Sequence, residues 1–493
     1  MKKKFIFIVG IALFSSYSCQ KSKLYPALQT SVSNQNGAPF STSSRIYSQL
    51  LGLYSSLRSG NLYGGRYQVY NDVKADNWIN STANSVTAYQ TWTATVTGTS
   101  QEVSGNSSVW TQAYIAINNS NLFIDGMAST GSAVVGASLA ANYVGEAKFV
   151  RALAYYTLLQ MYCQAYSVSN GATPGVPLRL TGLSSYGNYA LAPSTVAQVY
   201  AQIIKDLNEA ETSLPSAYYT SGTSLDAVSN TIRAHKNSAI AFKTRVYLSM
   251  GQYASVITEA NKIVSPSAPF TATSGVPNAL QPNVANAFKS PYTTTESIFS
   301  EPFTTTETVG GQNALADYFN STGAAEFYIN ASSALFTDSK WKTTDARRGF
   351  INVVGSKSYL TKWPLGSPYL DWAPVMRYSE VLLNLAEGIV RSSGTLDVQA
   401  ISLLNAVRGR SDATTVYSAA SFPNGASDLE AAILEERNIE FLGEGLRWAD
   451  LLRLGLPIPA KANVPQIPVA GFNSSYIWPM SSGEQQTNSL IGR

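Results

Sequence analysis

Apolar residues recur every three or four positions in several separate stretches of this chain, and this is the spacing of amphipathic helices. One stripe covers residues 143–161. A second covers residues 196–210 and is preceded by Thr195, which with Gln198 forms a capping-box pair typical of a helix start. An apolar stripe is stable only when another element covers it, so the chain must bury helix against helix.

Pairs of neighbouring stripes are separated by short breaks, which predicts helical hairpins. One pair covers residues 237–250 and 252–264 around Gly251, and another covers residues 375–389 and 396–407. Two helices joined by a tight turn are typical of tetratricopeptide-like repeats. We therefore predict a mainly α fold of such hairpins, forming a single domain with long irregular loops and few short strands.

The composition excludes several classes of protein. Only 13% of the residues are charged, and the chain has one histidine and two cysteines. These are too few for His-rich zinc sites or four-cysteine sites, and no nucleotide-binding motif is present, so we expect no metal and no cofactor. We interpret His235 as an ordinary histidine at a helix start or on the surface. We expect no binding to nucleic acid, because the chain shows no basic patch.

The first nineteen residues have the composition of a bacterial lipoprotein signal. Three lysines precede an apolar run at residues 5–14, and small residues lead to Cys19. We predict a signal peptide at residues 1–18, lipidation of Cys19 and a polar leader at residues 19–40. A plain secretory signal with an incidental cysteine is the alternative. Removal of the signal leaves 31 basic against 30 acidic residues, so the mature chain is close to neutral.

The order of several segments resembles the SusD/RagB family. The clearest pieces are Pro374–Tyr378 with Glu380 and Glu387, and the segment from Glu436 to Leu451. The resemblance implies an outer-membrane lipoprotein that captures a ligand for a SusC-like TonB-dependent transporter.

The resemblance implies a role in ligand binding. Members of the family bind glycans, or in some cases peptides, outside the cell, and they perform no reaction on them. They lie against a SusC-like TonB-dependent transporter, which takes up the captured ligand. This chain departs from the family pattern at Leu446, where a histidine is usual, and in its leader, where Gln20–Lys23 replaces the acidic residues typical of surface-exported lipoproteins. We expect a lipid-anchored protein of the outer membrane that faces the exterior.

The resemblance also suggests a division of the chain. A SusD-like domain is expected over residues 41–493, with an N-terminal family region at about 41–265 and a C-terminal family region at about 346–493. Between them, residues 266–345 form an insert rich in Thr, Ser, Asn, Gly and Pro. Loops of this length usually have a function, so we expect the insert and the similar stretch at residues 80–108 to be functional.

Acidic residues recur every four positions at Glu436, Glu440 and Glu444. Arginines are interleaved with them, so we interpret the cluster as structural ion pairs, in which the pKa of a carboxyl is lowered. A helical glycoside hydrolase is the alternative of another class. It would need two unpaired carboxyls in a cleft, and the loop acids that could supply them are Asp72, Asp76, Asp125 and Asp345.

The candidate ligand-binding residues are aromatic and polar side chains in the loops. Sugar rings stack on Trp and Tyr, while their hydroxyls bond to amides and cations, so a glycan surface mixes these residue types. Two stretches supply them, at residues 64–92 and 327–348. The candidates in these stretches are Arg66, Tyr70, Trp78, Asn80, Tyr89, Trp92, Tyr328 and Trp341. A family member that binds peptides instead remains an alternative. We assign Trp448 and Trp478 to packing.

Overall fold

Helices form most of the regular structure in the computed structural model of the chain, which describes residues 35–105, 108–185, 187–469 and 475–492. Short 3-10 and π turns connect several of them. Within the described residues, none of these helices is both long and apolar enough to cross a membrane. The α-helices are Ser43–Leu57, Arg66–Val73, Tyr89–Thr93, Gln101–Ser104, Val109–Gly126, Ser132–Val135, Ala137–Tyr162, Val196–Ser213, Ser229–Ile232, Lys236–Ser249, Tyr253–Ala260, Leu315–Phe319, Ala334–Thr337, Tyr378–Ser393, Val398–Ser411, Ala426–Glu440, Arg447–Arg453 and Ser482–Thr487.

The strands are short and pair only in twos within the described part of the chain. Each pair is antiparallel. The pairs are Trp78–Asn80 with Phe327–Ile329, Tyr219–Ser221 with Ser224–Leu225, Ser297–Glu301 with Ala373–Arg377, and Ile351–Val354 with Lys357–Leu360. The prediction of a mainly α fold with few short strands is confirmed.

The predicted helical hairpins are present. The helices Lys236–Ser249 and Tyr253–Ala260 are joined at Gly251, whose φ of 68° is a conformation that glycine adopts without strain. The helices Tyr378–Ser393 and Val398–Ser411 form the other hairpin. Their apolar faces lie in one continuous core with the helix Ala137–Tyr162. The period of the apolar residues therefore identified the packing helices correctly.

The local signals for helix starts and buried residues are also confirmed. Thr195 and Gln198 form the capping box at the start of the helix Val196–Ser213. Cys163 is buried just after the helix Ala137–Tyr162, and burial raises the pKa of its thiol to about 12. Trp448 and Trp478 are both buried. Cys19 and the predicted signal peptide lie outside the described residues.

Val375 was predicted to begin a helical stripe, and this was wrong. It lies in the strand Ala373–Arg377, whose five residues are all buried, and the helix begins only at Tyr378. Pro374 has no backbone N–H to donate, and the segment pairs on one side with the strand Ser297–Glu301. A short apolar run that is buried on every side has no period that distinguishes a strand from a helix.

A buried ion-pair network joins the C-terminal helices to this strand. Glu440 contacts Arg377 at 2.7 Å, Arg410 at 2.5 Å and Arg347 at 2.9 Å. Its side chain has no exposed surface. Burial alone would raise the pKa of Glu440, but the three arginines hold it well below its usual range. The structural interpretation of the carboxylate cluster is confirmed, since Glu436 pairs with Arg347 as well.

A second buried contact ties distant parts of the chain together. The Nζ atom of Lys461 donates to the backbone oxygens of Val73, Lys74 and Ala75 at 2.5, 2.8 and 2.7 Å. These carbonyls lie at the end of the helix Arg66–Val73, where the last carbonyls have no partner within the helix. Lys461 therefore acts as the C-terminal cap of a helix that begins almost four hundred residues before it.

His235 makes the stability of the fold dependent on pH. It is fully buried at the start of the helix Lys236–Ser249, so it is a helix-start histidine as expected and not a surface one. Burial lowers its pKa to about 4, so the folded state holds the neutral ring. The stabilisation that the neutral ring provides is complete above the pKa of this histidine in the unfolded chain, about 6.5. It is lost as the pH falls towards 4.

Because of this histidine, we expect the free energy of unfolding to fall by about 2 kcal/mol when the pH is lowered from 7.5 to 5. The measurement is urea unfolding of the wild type and of His235→Leu, which cannot titrate, at both pH values. Between pH 7.5 and pH 5, the wild type should lose more unfolding free energy than His235→Leu does. An unchanged difference would show that His235 does not control this response.

Candidate functional site

Strand pairing brings the two predicted aromatic stretches together. The strand Trp78–Asn80 runs antiparallel to the strand Phe327–Ile329, with Ile79 opposite Tyr328. Opposite residues point to the same face of a strand pair, and neighbours alternate between faces. Accordingly Trp78, Phe327 and Ile329 are buried, while Ile79 and Tyr328 are half-buried on the outer face.

Four of the predicted binding residues are buried, and in this structure their rings are not available to a ligand. Trp78 has no exposed surface and stacks on Phe319 at 4.2 Å between ring centroids. Its backbone oxygen accepts a hydrogen bond from the indole of Trp92. Tyr70 and Trp341 are buried as well. Large aromatic side chains contribute most to the stability of a fold when they fill its core, and this is the role of these four residues here.

The other four predicted residues are half-buried at the surface. The guanidinium of Arg66 donates to the backbone oxygen of Gln312 at 2.7 Å, so it partly serves to hold a loop. Asn80 accepts from the backbone N–H of Ala83 at 2.7 Å and closes a turn. Tyr89 stacks against the buried Trp92 at 6.2 Å. Tyr328 is the fourth, and it lies among side chains from a neighbouring hairpin.

We call the surface around this residue the Tyr328 platform, formed by Ile79, Tyr328, Asn352, Lys357 and Tyr359. The Lys357 ammonium lies 4.8 Å from the centroid of the Tyr328 ring. The Tyr359 ring is 6.4 Å away in an edge-on arrangement. Asn352 is exposed and lies opposite Tyr359 in the hairpin. The half-buried Tyr328 ring with a cation over its face and the exposed amide of Asn352 supply hydrogen-bonding groups for a hydroxylated ligand.

A further aromatic surface was missed by the sequence-based prediction. All eight tryptophans are among the described residues, and seven of them are buried, whereas Trp372 is half-buried. Its ring stacks on Tyr292 with centroids 5.4 Å apart and planes 18° apart. Tyr369 lies in the same loop and is also half-buried. We call these three residues the Trp372 ledge. The signal in the sequence was the aromatic pair in the segment YLDW.

Carboxylates hold the ledge in place. Asp371 accepts a hydrogen bond from the Tyr292 hydroxyl at 2.8 Å and one from the Leu365 backbone N–H at 2.7 Å. The Tyr369 hydroxyl donates to Asp317 at 2.5 Å. Hydrogen-bonded rings lose little further freedom when a ligand binds, so the ledge is preorganised. Leu365 beside it is 44% exposed and adds apolar surface.

The loop acids do not form an exposed carboxylate pair of the kind a glycoside hydrolase needs. Asp72, Asp76 and Asp345 are buried. Burial raises the pKa of Asp72 to about 7, but only 1% of this residue is exposed. Asp345 pairs with Arg347 at 2.7 Å. Asp125 is exposed and accepts from a backbone N–H. No observation on these four acids favours hydrolysis.

Family models match both halves of the chain. Residues 29–248 match a SusD-like family described as starch-binding and associating with the outer membrane. Residues 340–490 match the SusD family. The two matches flank the segment that contains the strand Phe327–Ile329.

Individual relatives agree with these matches. A SusD superfamily protein from Bacteroides fragilis is 31% identical, with a TM-score of 0.79, over 92% of this chain and 100% of that one. The SusD-like protein P2 of Formosa agariphila is 25% identical over 78% of this chain and 79% of its own length. A laminarin-binding SusD-like protein has the same fold, with a TM-score of 0.68 at 19% identity, over 92% of this chain and 98% of its own.

Proposed function

We propose, because this chain belongs to the SusD family, that it is a glycan-binding lipoprotein that passes its ligand to a SusC-like TonB-dependent transporter. Family membership supports a role in binding, since the family is described by binding at the outer membrane. One relative of the same fold is described as binding laminarin. No catalytic step forms part of this proposal.

The Trp372 ledge is the observation that supports glycan binding most directly. It presents the indole of Trp372 at the surface, stacked on Tyr292, and hydrogen bonds hold the rings of Tyr292 and Tyr369. The Tyr328 platform and the predicted residues Arg66, Asn80 and Tyr89 add half-buried polar and aromatic groups. Stacking fixes the orientation of a sugar ring, and the polar groups select its hydroxyls.

The near balance of charge in the mature chain supports a neutral glycan. The anchor would hold this ligand next to the transporter, where the effective concentration is far above that in solution. Lipidation at Cys19, the leader at residues 19–40 and the outward orientation are parts of the proposal. The division of the SusD-like domain into an N-terminal region that ends at about residue 265, an insert, and a C-terminal region that begins at about residue 346 is also part of the proposal.

Trp372→Ala is expected to weaken glycan binding about tenfold, which corresponds to about 1.4 kcal/mol. The reason is that the variant removes the stacking face of the ledge. The measurement is equilibrium binding of the purified protein to laminarin, soluble starch and xylan, with each mixture checked for cleavage products.

Tyr219→Ala is the matched control, because Tyr219 is 51% exposed on a separate hairpin and its loss should leave binding unchanged. If Trp372→Ala and the wild type bound glycan with equal affinity, the Trp372 ledge would not be part of the binding site. Binding to peptides and to none of the glycans would favour the peptide-binding alternative. Cleavage products would contradict a purely binding function.

A further inference from the structure

A cleft on another part of the molecule has the features of a binding site. It has a volume of about 410 Å³ and lies between the helix Val109–Gly126, the loop that carries Arg179 and Tyr189, and the helix Ser482–Thr487. The half-buried ring of Tyr114 lies on its wall and packs against the buried Trp110. This volume is within the range typical of small-ligand sites.

A second cleft of about 530 Å³ continues along the same helix. Asn119 lines both clefts, and the consecutive residues Leu183 and Ser184 line one each. We call the two together the helix groove. Its helix side extends from Trp110 to Gly126, which at 1.5 Å per residue is roughly 24 Å. An elongated groove suits a chain of several sugar rings better than a single ring.

The loop wall of the groove is held by polar side chains of the helix. Asn118 both donates to the Leu183 backbone oxygen at 3.0 Å and accepts from its N–H at 2.8 Å. The Tyr114 hydroxyl donates to the backbone oxygen of Pro177 at 2.8 Å, and Asn121 donates to that of Arg179 at 3.1 Å. The groove is therefore formed before any ligand arrives, which lowers the entropic cost of binding.

The charges in the first cleft balance each other. Arg179 and Glu484 contribute one charge of each sign. Aromatic rings and amides supply the rest of the polar and stacking groups, with Tyr189 36% exposed. The second cleft adds the carboxylate of Asp125, which accepts from the Gly182 backbone N–H. A lining with so few charges favours an uncharged ligand with many hydroxyls.

We propose that the helix groove is a second glycan-binding site, which takes an extended neutral oligosaccharide. The proposal rests on the proposed function. The groove shares no lining residue with the Trp372 ledge or the Tyr328 platform. A long polysaccharide could therefore engage two sites on one protein, and its affinity would exceed that of either site alone.

Gly52 offers a way to block the groove without disturbing the fold. It lies in the helix Ser43–Leu57 and lines the second cleft, and a Cβ atom added there meets no atom within 4 Å. Both Ala and Phe favour a helix more than Gly does. Gly52→Phe should fill the groove, while Gly52→Ala is the matched control that leaves it open.

The experiment is calorimetric titration of wild type, Gly52→Ala and Gly52→Phe with laminarihexaose, maltohexaose and xylohexaose, and with the corresponding polysaccharides. We expect two bound hexasaccharides in the first two proteins and one in Gly52→Phe. The polysaccharide should bind Gly52→Phe about tenfold more weakly or worse. Tyr189→Ala, at the other end of the groove, should change binding in the same direction.

The outcomes separate the two proposals. One bound hexasaccharide in all three proteins, with equal affinities for polysaccharide, would overturn the second site and leave the proposed function standing. No glycan binding by any of the proteins would overturn both.

Discussion

Glu440→Gln is expected to lower the free energy of unfolding by about 3–5 kcal/mol. The carboxylate of Glu440 contacts Arg347, Arg377 and Arg410, which also pair with neighbouring carboxylates such as Glu436 and Glu296, and all of these side chains are buried or nearly so. Glutamine has almost the same shape but no charge, so the arginines would remain buried with too little negative charge around them. A charge buried without its partner costs more than the original pair contributed.

The measurement is urea unfolding followed by circular dichroism. Glu209→Gln provides the comparison, because Glu209 pairs with Lys148 at 2.6 Å but is 40% exposed. Exposed pairs contribute about 0–1 kcal/mol, so this variant should unfold close to the wild type. If both variants lost the same small amount of stability, the buried network would not hold the C-terminal helices as described.

Trp78→Ala is also expected to cost about 3–5 kcal/mol of unfolding free energy. The indole has no exposed surface, and the ring of Phe319 covers it. Removing it leaves a cavity behind the strand pair that joins the two aromatic stretches. Glycan binding would then fall only through loss of the fold, which distinguishes this residue from one that touches a ligand.

Trp372→Ala is the counterpart, since Trp372 is half-buried and stacks on one ring. It should retain a stability within about 1 kcal/mol of the wild type while binding weakens. The comparison needs unfolding and binding measured on both variants. If Trp78→Ala kept its stability but lost glycan binding, Trp78 would be a ligand contact and not a core residue.

The helices could be predicted because their signals are local. The capping box at Thr195 and the turn at Gly251 are read from adjacent residues, and the apolar period follows from helix geometry. The strand Ala373–Arg377 could not be predicted in the same way. It is buried on both sides by elements far away in the chain, so no alternation remains in its sequence.

The candidate site was harder to predict because exposure is decided by distant residues. Trp78 stands among polar residues, as a surface tryptophan would, yet Phe319 covers it. Trp372 stands beside apolar residues and remains half-buried. The first cleft of the helix groove alone combines three elements that are separated by tens to hundreds of residues, so no local pattern marks it.

The contact between Lys461 and residues 73–75 has a consequence for the order in which the protein matures. A ribosome releases the chain from its N-terminus, so the cap arrives 386 to 388 residues after the helix that it completes. Contacts of such separation form late and slow the final step of folding. Until Lys461 is in place, the carbonyls of Val73, Lys74 and Ala75 lack the cap that the folded protein gives them.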